Sequence, residues 1–176
     1  GVIIEHRQIT NLVYHNQQAP LAPEDCMAHC GNPAFDAATW EVWGALCRGA
    51  SVAIIAPDTV LNPELFTQEL LRQQVTSMMI TVSLFNQYRL SLAPVLSRLR
   101  YCLVGGEAVD PVAMLETLSN SPPQVFINDY GPTETTVFAT CHRMVEADRG
   151  KTSIPIGTPV DNTQIYILDA HKQPVP

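Results

Sequence analysis

The sequence predicts an α/β fold with a doubly wound, mostly parallel sheet that carries helices on both faces. Three observations lead to this prediction. Short, continuous apolar segments recur along the 176 residues, and segments with helical periodicity separate them. Strands that are apolar on both faces are typical of parallel sheets buried between two helical layers. With 46% hydrophobic and 15% charged residues, the chain has enough apolar material for a buried core.

In the first half of the chain, the predicted elements are a helix over 6–18, a helix from Asp36 to Gly49, a strand over 51–56 and a helix over 62–74. The helix after Asp36 places Trp40, Trp43 and Cys47 on one face. Asn62, Pro63 and Glu64 form a helix start, because a capping side chain precedes a first-turn proline and an acid near the positive helix end.

In the second half, the predicted elements are a strand over 75–82, a helix over 84–90, a strand over 101–104, a helix that starts at Asp110 and Pro111, and strands over 125–127, 137–145 and 164–168. The last two strands have no helix between them. They are therefore interpreted as an antiparallel edge and as the start of a second layer.

Charge and composition exclude several classes of function. The net charge of −7 argues against a nucleic-acid partner. No apolar run approaches the ~20 residues of a membrane span, and no secretion signal is visible. Five cysteines at irregular spacing predict a reduced, cytoplasmic protein. Cys26, His29 and Cys30 lack a second ligand pair at zinc spacing, so they are interpreted as strand residues facing a core.

Two predicted strand ends carry residues suited to ligand chemistry. In parallel α/β sheets, ligands bind beyond the carboxyl ends of the strands. Gly105, Gly106 and Glu107 follow one strand, and the missing Cβ atoms would let a flat ligand approach the backbone. The other end, 128–136, combines an amide, an aromatic ring, hydroxyls and carboxylates. Such groups read base edges, stack on bases and bind phosphate or magnesium, which predicts a nucleotide site.

Asp36 lies in an apolar segment and has two interpretations. Its side chain is either a helix cap or a buried anion that awaits a cation. The cap is favoured from sequence alone, although one oxygen could cap while the other faces a ligand.

Several segments resemble the adenylation domains of nonribosomal peptide synthetases, which belong to the adenylate-forming enzymes. Residues 128–134 are similar to their adenine-and-phosphate motif, and residues 35–41 to their substrate-anchoring motif. Residues 1–6 are similar to the segment that follows their glycine-rich phosphate loop. Residues 154–159 and 162–169 resemble a later stretch of the same core. The likeness covers essentially the whole chain, in order.

The resemblance implies a division into three regions. Residues 1–34 would be an N-terminal flank with a helix and the first strand. Residues 35–160 would form the flavodoxin-like subdomain that selects the substrate, and residues 161–176 the truncated start of the next β subdomain. The family's phosphate loop, ribose-binding acid and catalytic lysine are not among these residues. The resemblance therefore implies an internal fragment that is inactive when isolated.

The resemblance also implies a role for each nucleotide-site residue. Asn128 would bond the adenine edge, and Tyr130 would lie against its face. Thr133 would contact the α-phosphate and Glu134 would bind Mg²⁺, so both are candidate catalytic residues. The remaining candidates for nucleotide contact are Gly105, Gly106, Glu107 and Gly131.

An amino-acid pocket is implied as well, with Asp36 holding the α-ammonium group. The full set is Asp36, Ala37, Trp40, Met79, Leu103, Gly105, Asp129, Val137 and Phe138. Its apolar members favour a leucine-like aliphatic substrate. If Asp129 points inward, a basic or polar side chain becomes the alternative, and an aromatic one is also considered. If Asp129 points outward, it is only a solvated loop acid.

The implied reaction has two steps. ATP and an amino acid form an aminoacyl adenylate, which then acylates the phosphopantetheine thiol of a peptidyl carrier protein. The expected cofactors are ATP and Mg²⁺ in the complete domain, with none tightly bound to the fragment. The expected partners are the amino acid, the remaining adenylation subdomains and the carrier protein. Two alternatives are an acyl- or aryl-CoA-type ligase fragment and a non-catalytic flavodoxin-like binding module.

Overall fold

A seven-stranded sheet forms the centre of the computed structural model, which describes residues 1–175. Its strands are β1 (Cys26–His29), β2 (Ser51–Ile54), β3 (Ser77–Thr81), β4 (Tyr101–Gly105), β5 (Val125–Tyr130), β6 (Thr140–Arg143) and β7 (Thr158–Pro159). They lie in the order β2-β1-β3-β4-β5-β6-β7. The pairs among β1 to β5 are parallel, and those of β6 with β5 and β7 are antiparallel. The predicted fold class is therefore confirmed.

The α-helices that precede or connect these strands are α1 (His6–Tyr14), α2 (Ala37–Thr39), α3 (Pro57–Val60), α4 (Pro63–Arg72), α5 (Val82–Tyr88), α6 (Ala93–Leu96) and α7 (Pro111–Asn120). Helix α2 continues directly into a π-helix, Trp40–Gly44. The predicted helix after Asp36 is thus present, and its last turn ends at Gly49 with a φ of 75°. The short helices α3 and α6 were not predicted.

Two hydrophobic clusters cover opposite faces of the sheet. Side chains of β4 alternate between them, because successive residues of a strand point to opposite faces. Cys102 and Val104 pack with residues of α4, α5 and α7, whereas Tyr101 and Leu103 pack with α1 and the π-helix. Helices therefore cover both faces, as the doubly wound prediction requires.

The predicted helix starts at Asn62 and Asp110 are confirmed. The side chain of Asn62 accepts a hydrogen bond from the Leu65 amide (3.0 Å), and that of Asp110 accepts one from the Val112 amide (2.9 Å). The cap interpretation of Asp36 is wrong, since its side chain makes no capping hydrogen bond. Its backbone is already helical (φ −68°, ψ −22°), whereas a capping residue is usually extended.

Some predicted boundaries need correction. Helix α1 ends at Tyr14 rather than at residue 18, because the side chain of Asn16 accepts a hydrogen bond from the Gln18 amide (3.0 Å) and stabilises a turn there. The predicted strand over 137–145 shortens to β6. Thr136 and Val137 have φ values of 63° and 71°, so the chain is reversing direction there before it pairs with β5.

The strand predicted over 164–168 is wrong. Leu168 forms only an isolated bridge with Pro174, and the preceding residues pair with no strand among residues 1–175. Ile165, Tyr166 and Ile167 are all exposed. A short apolar segment alone does not make a strand, because the backbone also needs a neighbouring strand as a hydrogen-bond partner.

The loop that leads into β1 is fastened by a buried acid. Asp25 accepts hydrogen bonds from Arg100 Nη1 (2.6 Å), the Ala22 amide (2.8 Å) and Thr76 Oγ1 (3.0 Å). Its side chain is 1% exposed. The carboxylate thereby joins this loop to the segments that enter β3 and β4.

We expect Asp25→Asn to lower the free energy of unfolding by about 2 kcal/mol, because it removes one charge of a largely buried pair. Urea denaturation would measure the change. The matched control is Glu24→Gln, since Glu24 is exposed and lies 3.8 Å from the same Arg100 nitrogen. If both substitutions lowered the free energy of unfolding equally, the stabilising role of the buried Asp25 carboxylate would be contradicted.

Three further findings concern residues 1–175. All five cysteines are free. No group of three or more His, Cys, Asp or Glu side chains in this range is arranged to hold a metal ion. No helix in this range is both long enough and apolar enough to cross a membrane.

Candidate functional site

A cavity of about 490 Å³ opens beyond the carboxyl ends of β4 and β5. This volume is in the usual range for small-molecule sites. Its lining residues are Gly106, Glu107, Ala108, Val109, Asn128, Asp129, Tyr130, Gly131, Pro132, Ser153, Ile154 and Ile156. The structure thus brings together the two strand ends that sequence analysis had singled out separately.

Gly105, the last residue of β4, and Gly106, which follows it, are glycines for different physical reasons. A Cβ on Gly105 would overlap Asp129 Oδ1 and lie 2.6 Å from the Asp129 backbone oxygen. The expectation that Gly105 lets a flat ligand approach is therefore wrong, since the missing Cβ makes room for Asp129 instead. Gly106 has a φ of 89°, and a Cβ there would meet no atom within 4 Å. Only Gly106 leaves open backbone beside the cavity.

At the end of β5, Asn128 is buried and its Nδ2 donates a hydrogen bond to the Pro155 carbonyl (2.8 Å). This bond fixes the amide and ties the loop of Ile154 and Ile156 to the strand as a wall of the cavity. Tyr130 is 48% exposed and lies at the rim. A Cβ on Gly131 would overlap the Val137 carbonyl oxygen, so the chain passes here against the returning segment.

Thr133 and Glu134 lie in a 3₁₀ helix, Thr133–Thr135, that begins directly after the cavity residue Pro132. Both side chains are exposed. Among residues 1–175, Glu134 makes no ion pair. An exposed carboxylate is a ligand type that suits Mg²⁺, which takes one or two carboxylates together with phosphate oxygens and water.

Sequence reasoning missed the partner of Glu107. Ser83 Oγ, in the first turn of α5, donates a hydrogen bond of 2.8 Å to Glu107 Oε1. A lone serine carries no sequence signal for this contact. The wall formed by Ser153, Ile154 and Ile156 was also missed, although residues 154–159 had contributed to the resemblance.

The apolar residues assigned to the amino-acid pocket come together beside this cavity. The rings of Trp40 and Phe138 meet edge to face, with centroids 5.5 Å apart and planes at 71°. Leu103 and Val137 belong to the same buried cluster, and half-buried Met79 packs against it. Five of the predicted pocket residues therefore share one face of the sheet.

The polar members of the predicted pocket are Asp36 and Asp129, with half-buried Ala37 beside the former. Asp129 is 4% exposed, so its interpretation as a solvated loop acid is wrong. Among residues 1–175 its Oδ2 atom has no hydrogen-bond partner. Burial raises the pKa of Asp129 to about 7, and the nearby negative charge of Asp36 acts in the same direction.

A second, open cavity of about 850 Å³ lies between α1 and residues 160–164. Sequence analysis did not single it out. Phe138 contributes to its wall, together with Asn16 and Thr136, which each carry a buried polar atom without a partner among residues 1–175. It therefore adjoins the buried cluster that contains Trp40 and Phe138, on the side of α1.

The chain is similar to known proteins in both sequence and structure. The chain matches the family described as AMP-binding enzyme over residues 1–176. It is 40% identical to malpibaldin synthetase of Mortierella alpina over 171 aligned residues. The alignment covers 97% of this chain and 3% of that protein.

Two solved structures are similar as well. One is holo-PA1221, an NRPS protein containing adenylation and PCP domains, with a TM-score of 0.89 and 32% identity over 97% of this chain and 30% of that one. The other is the NRPS FmoA3 in its α-methyl-L-serine-AMP bound form, with a TM-score of 0.87 and 26% identity over 100% of this chain and 20% of that one. The chain thus spans less than a third of each of these three proteins.

Proposed function

Because the chain belongs to the family of AMP-binding enzymes, we propose that it is the amino-acid-selecting part of an adenylation domain of the nonribosomal peptide synthetase type. In the complete domain, an amino acid and ATP would form an aminoacyl adenylate and pyrophosphate. The acyl group would then pass to the thiol of a peptidyl carrier protein. One observation carries this proposal: the cavity beyond β4 and β5 is lined by Asn128, Tyr130 and buried Asp129, whose Oδ2 atom has no hydrogen-bond partner among residues 1–175.

The cavity beyond β4 and β5 would hold the adenosine part. Asn128 would contact the edge of the base, since its amide is held in place by Pro155. The exposed ring of Tyr130 would stack on the base, with the open backbone of Gly106 opposite. Thr133 would donate its hydroxyl to the α-phosphate, and Glu134 would hold Mg²⁺, which supplies positive charge for the departing pyrophosphate.

The apolar pocket would hold the amino acid. Asp36 would pair with the α-ammonium group, because a buried ammonium without a counter-ion would be very unfavourable. Trp40, Phe138 and Leu103 would surround the side chain. When Asp129 is protonated, the pocket contains one negative charge for one ammonium group, which favours a leucine-like aliphatic substrate over a basic one.

The test is a graft of residues 35–164 into a complete adenylation domain of this type. We expect the isolated chain to be inactive, because no lysine or arginine among residues 1–175 lines this cavity and such a charge would stabilise the transition state. Pyrophosphate exchange would be measured with leucine, valine, phenylalanine, arginine and ornithine. A preference for leucine would support the proposal. A preference for arginine or ornithine would indicate that Asp129 pairs with the side chain of the substrate. Retention of the host's preference would overturn the assignment of the pocket.

In this graft, Asp36→Asn is expected to lower kcat/KM for the amino acid about 100-fold, because the α-ammonium group loses its counter-ion. The KM for ATP should stay the same, since Asp36 lies outside the nucleotide cavity. Asp58→Asn, an exposed acid of α3, is the matched control. An acyl- or aryl-activating enzyme has no α-ammonium group to bind, so an unchanged kcat/KM would favour that alternative.

A further inference from the structure

A carboxylate without an assigned role is buried at the base of the helix that carries the pocket residues. The side chain of Glu41 is 1% exposed. Its Oε2 atom lies 2.5 Å from His29 Nδ1, and the Gly31 amide donates to its two oxygens at 3.1 and 3.3 Å. A buried carboxylate is unfavourable unless it is hydrogen-bonded, and the His29 ring and the Gly31 amide supply those contacts.

The partners of Glu41 are consecutive residues at the carboxyl end of β1. A Cβ on Gly31 would lie 3.2 Å from both carboxylate oxygens, so glycine leaves space for the close approach. Between His29 and Gly31, the thiol of Cys30 lies 3.9 Å from Glu41 Oε1 and 3.7 Å from the Met79 carbonyl. The cluster therefore connects the end of β1 with the helix and with a pocket residue of β3.

Glu41 lies in the π-helix, directly after Trp40. Single π-helical turns often occur at functional sites. A Cβ on Gly44 would lie 2.7 Å from Trp40 Cε3, so the indole ring occupies the space that this glycine leaves. Trp40 is buried against Phe138, whereas its neighbour Glu41 is buried against the end of β1. Two adjacent side chains held by different partners determine how the helix is rotated about its axis.

We propose that Glu41, through His29 and the Gly31 amide, is a positioning residue that sets the rotation of the π-helix and thereby the placement of Trp40 and Asp36 toward the amino acid. The inference rests on the proposed function for the identity of the ligand. Glu41 itself would contact no substrate.

The first experiment uses tryptophan fluorescence of the 176-residue chain. The chain has two tryptophans, and exposed Trp43 can be replaced by phenylalanine, which leaves Trp40 as the only reporter. We expect Glu41→Ala to shift the Trp40 emission to the red and to raise its acrylamide quenching about threefold, because the ring becomes more accessible. Glu41→Gln, which keeps the size of the side chain, should restore most of the emission. Glu64→Ala, at an exposed acid of α4, is the control.

The second experiment measures binding to the same variants by calorimetry. The probes are a non-hydrolysable leucyl-AMP analogue, leucyl sulfamoyl adenosine, and AMP alone. Glu41→Ala should weaken binding of the analogue about tenfold and that of AMP less than about twofold. His29→Ala should have a similar effect, and the double variant should be no worse than either single one, because the pair acts as a unit.

The outcomes separate the inference from the proposed function. Unchanged Trp40 emission in a folded Glu41→Ala chain, or equal losses for the analogue and AMP, would overturn the positioning role. If Glu41→Ala does not fold, the same readouts on Glu41→Gln and His29→Ala decide. If the wild-type chain binds neither probe, the Trp40 emission alone judges the positioning role, and the graft described above judges the proposed function.

Discussion

Asp129→Asn is expected to stabilise the folded chain by about 3 kcal/mol near pH 8, with the gain shrinking toward pH 4. The reason is the raised pKa of Asp129, about 7 in the folded chain compared with an ordinary value of 3.8. Burial is the larger cause, and the charge of Asp36 adds to it. Asparagine has nearly the same shape and never ionises, so it avoids the cost of burying a negative charge at this position.

The direction of the pH dependence follows from proton binding. Between about pH 4 and pH 7 the folded chain keeps a proton on Asp129 that the unfolded chain releases. The contribution of Asp129 to stability is therefore fully present below about pH 4 and is lost as the pH rises to about 7. Urea denaturation of both chains across this range would measure it, with exposed Asp58→Asn as control. If the free energies of unfolding of the wild-type and Asp129→Asn chains changed in parallel with pH, the burial of an ionisable Asp129 would be contradicted.

Gly105→Ala is expected to lower the free energy of unfolding by about 3 kcal/mol. The new Cβ would overlap Asp129 Oδ1 and lie 2.6 Å from the Asp129 backbone oxygen. Both residues belong to central, buried strands, so the backbone has little freedom to move apart. Urea denaturation would measure the loss.

The matched control for this substitution is Gly106→Ala. Gly106 has a φ of 89° but no atom within 4 Å of its missing Cβ, so only backbone strain of about 1 kcal/mol is expected. In a Gly105→Ala chain, Asp129→Ala should recover part of the stability, because it removes Oδ1 while the backbone oxygen remains. Equal losses at the two glycines would show that the contact with Asp129 is not the cause.

Together these two predictions concern a single contact at the centre of the site. Gly105 makes room for Asp129, and Asp129 lines the cavity beyond β4 and β5 and is affected by the charge of Asp36. A change at either residue should therefore alter stability and amino-acid preference together. Conflicts between stability and function of this kind are expected where a buried ionisable group serves a binding site.

Elements whose signals are local could be predicted from the order of the amino acids. The parallel strands follow from continuous apolar segments, and the helix starts at Asn62 and Asp110 follow from a side chain that reaches the backbone a few residues later. The rule that parallel strands present ligands at their carboxyl ends then indicated the site at residues 105–107 and 128–134. The roles of these residues came from the resemblance.

Features that depend on partners distant in sequence could not be predicted without the three-dimensional arrangement of the chain. The burial of Asp129, the reason for Gly105 and the bond of Asn128 to Pro155 each involve residues more than 20 positions apart. The strand predicted at residues 164–168 was wrong for the same reason, since a strand must pair with a neighbouring strand that its own apolar residues do not reveal. Glu41 gave no signal because a glutamate in a helix is normally solvated. Its role depends on His29 and Gly31, which reach it only when β1 and the π-helix are packed together.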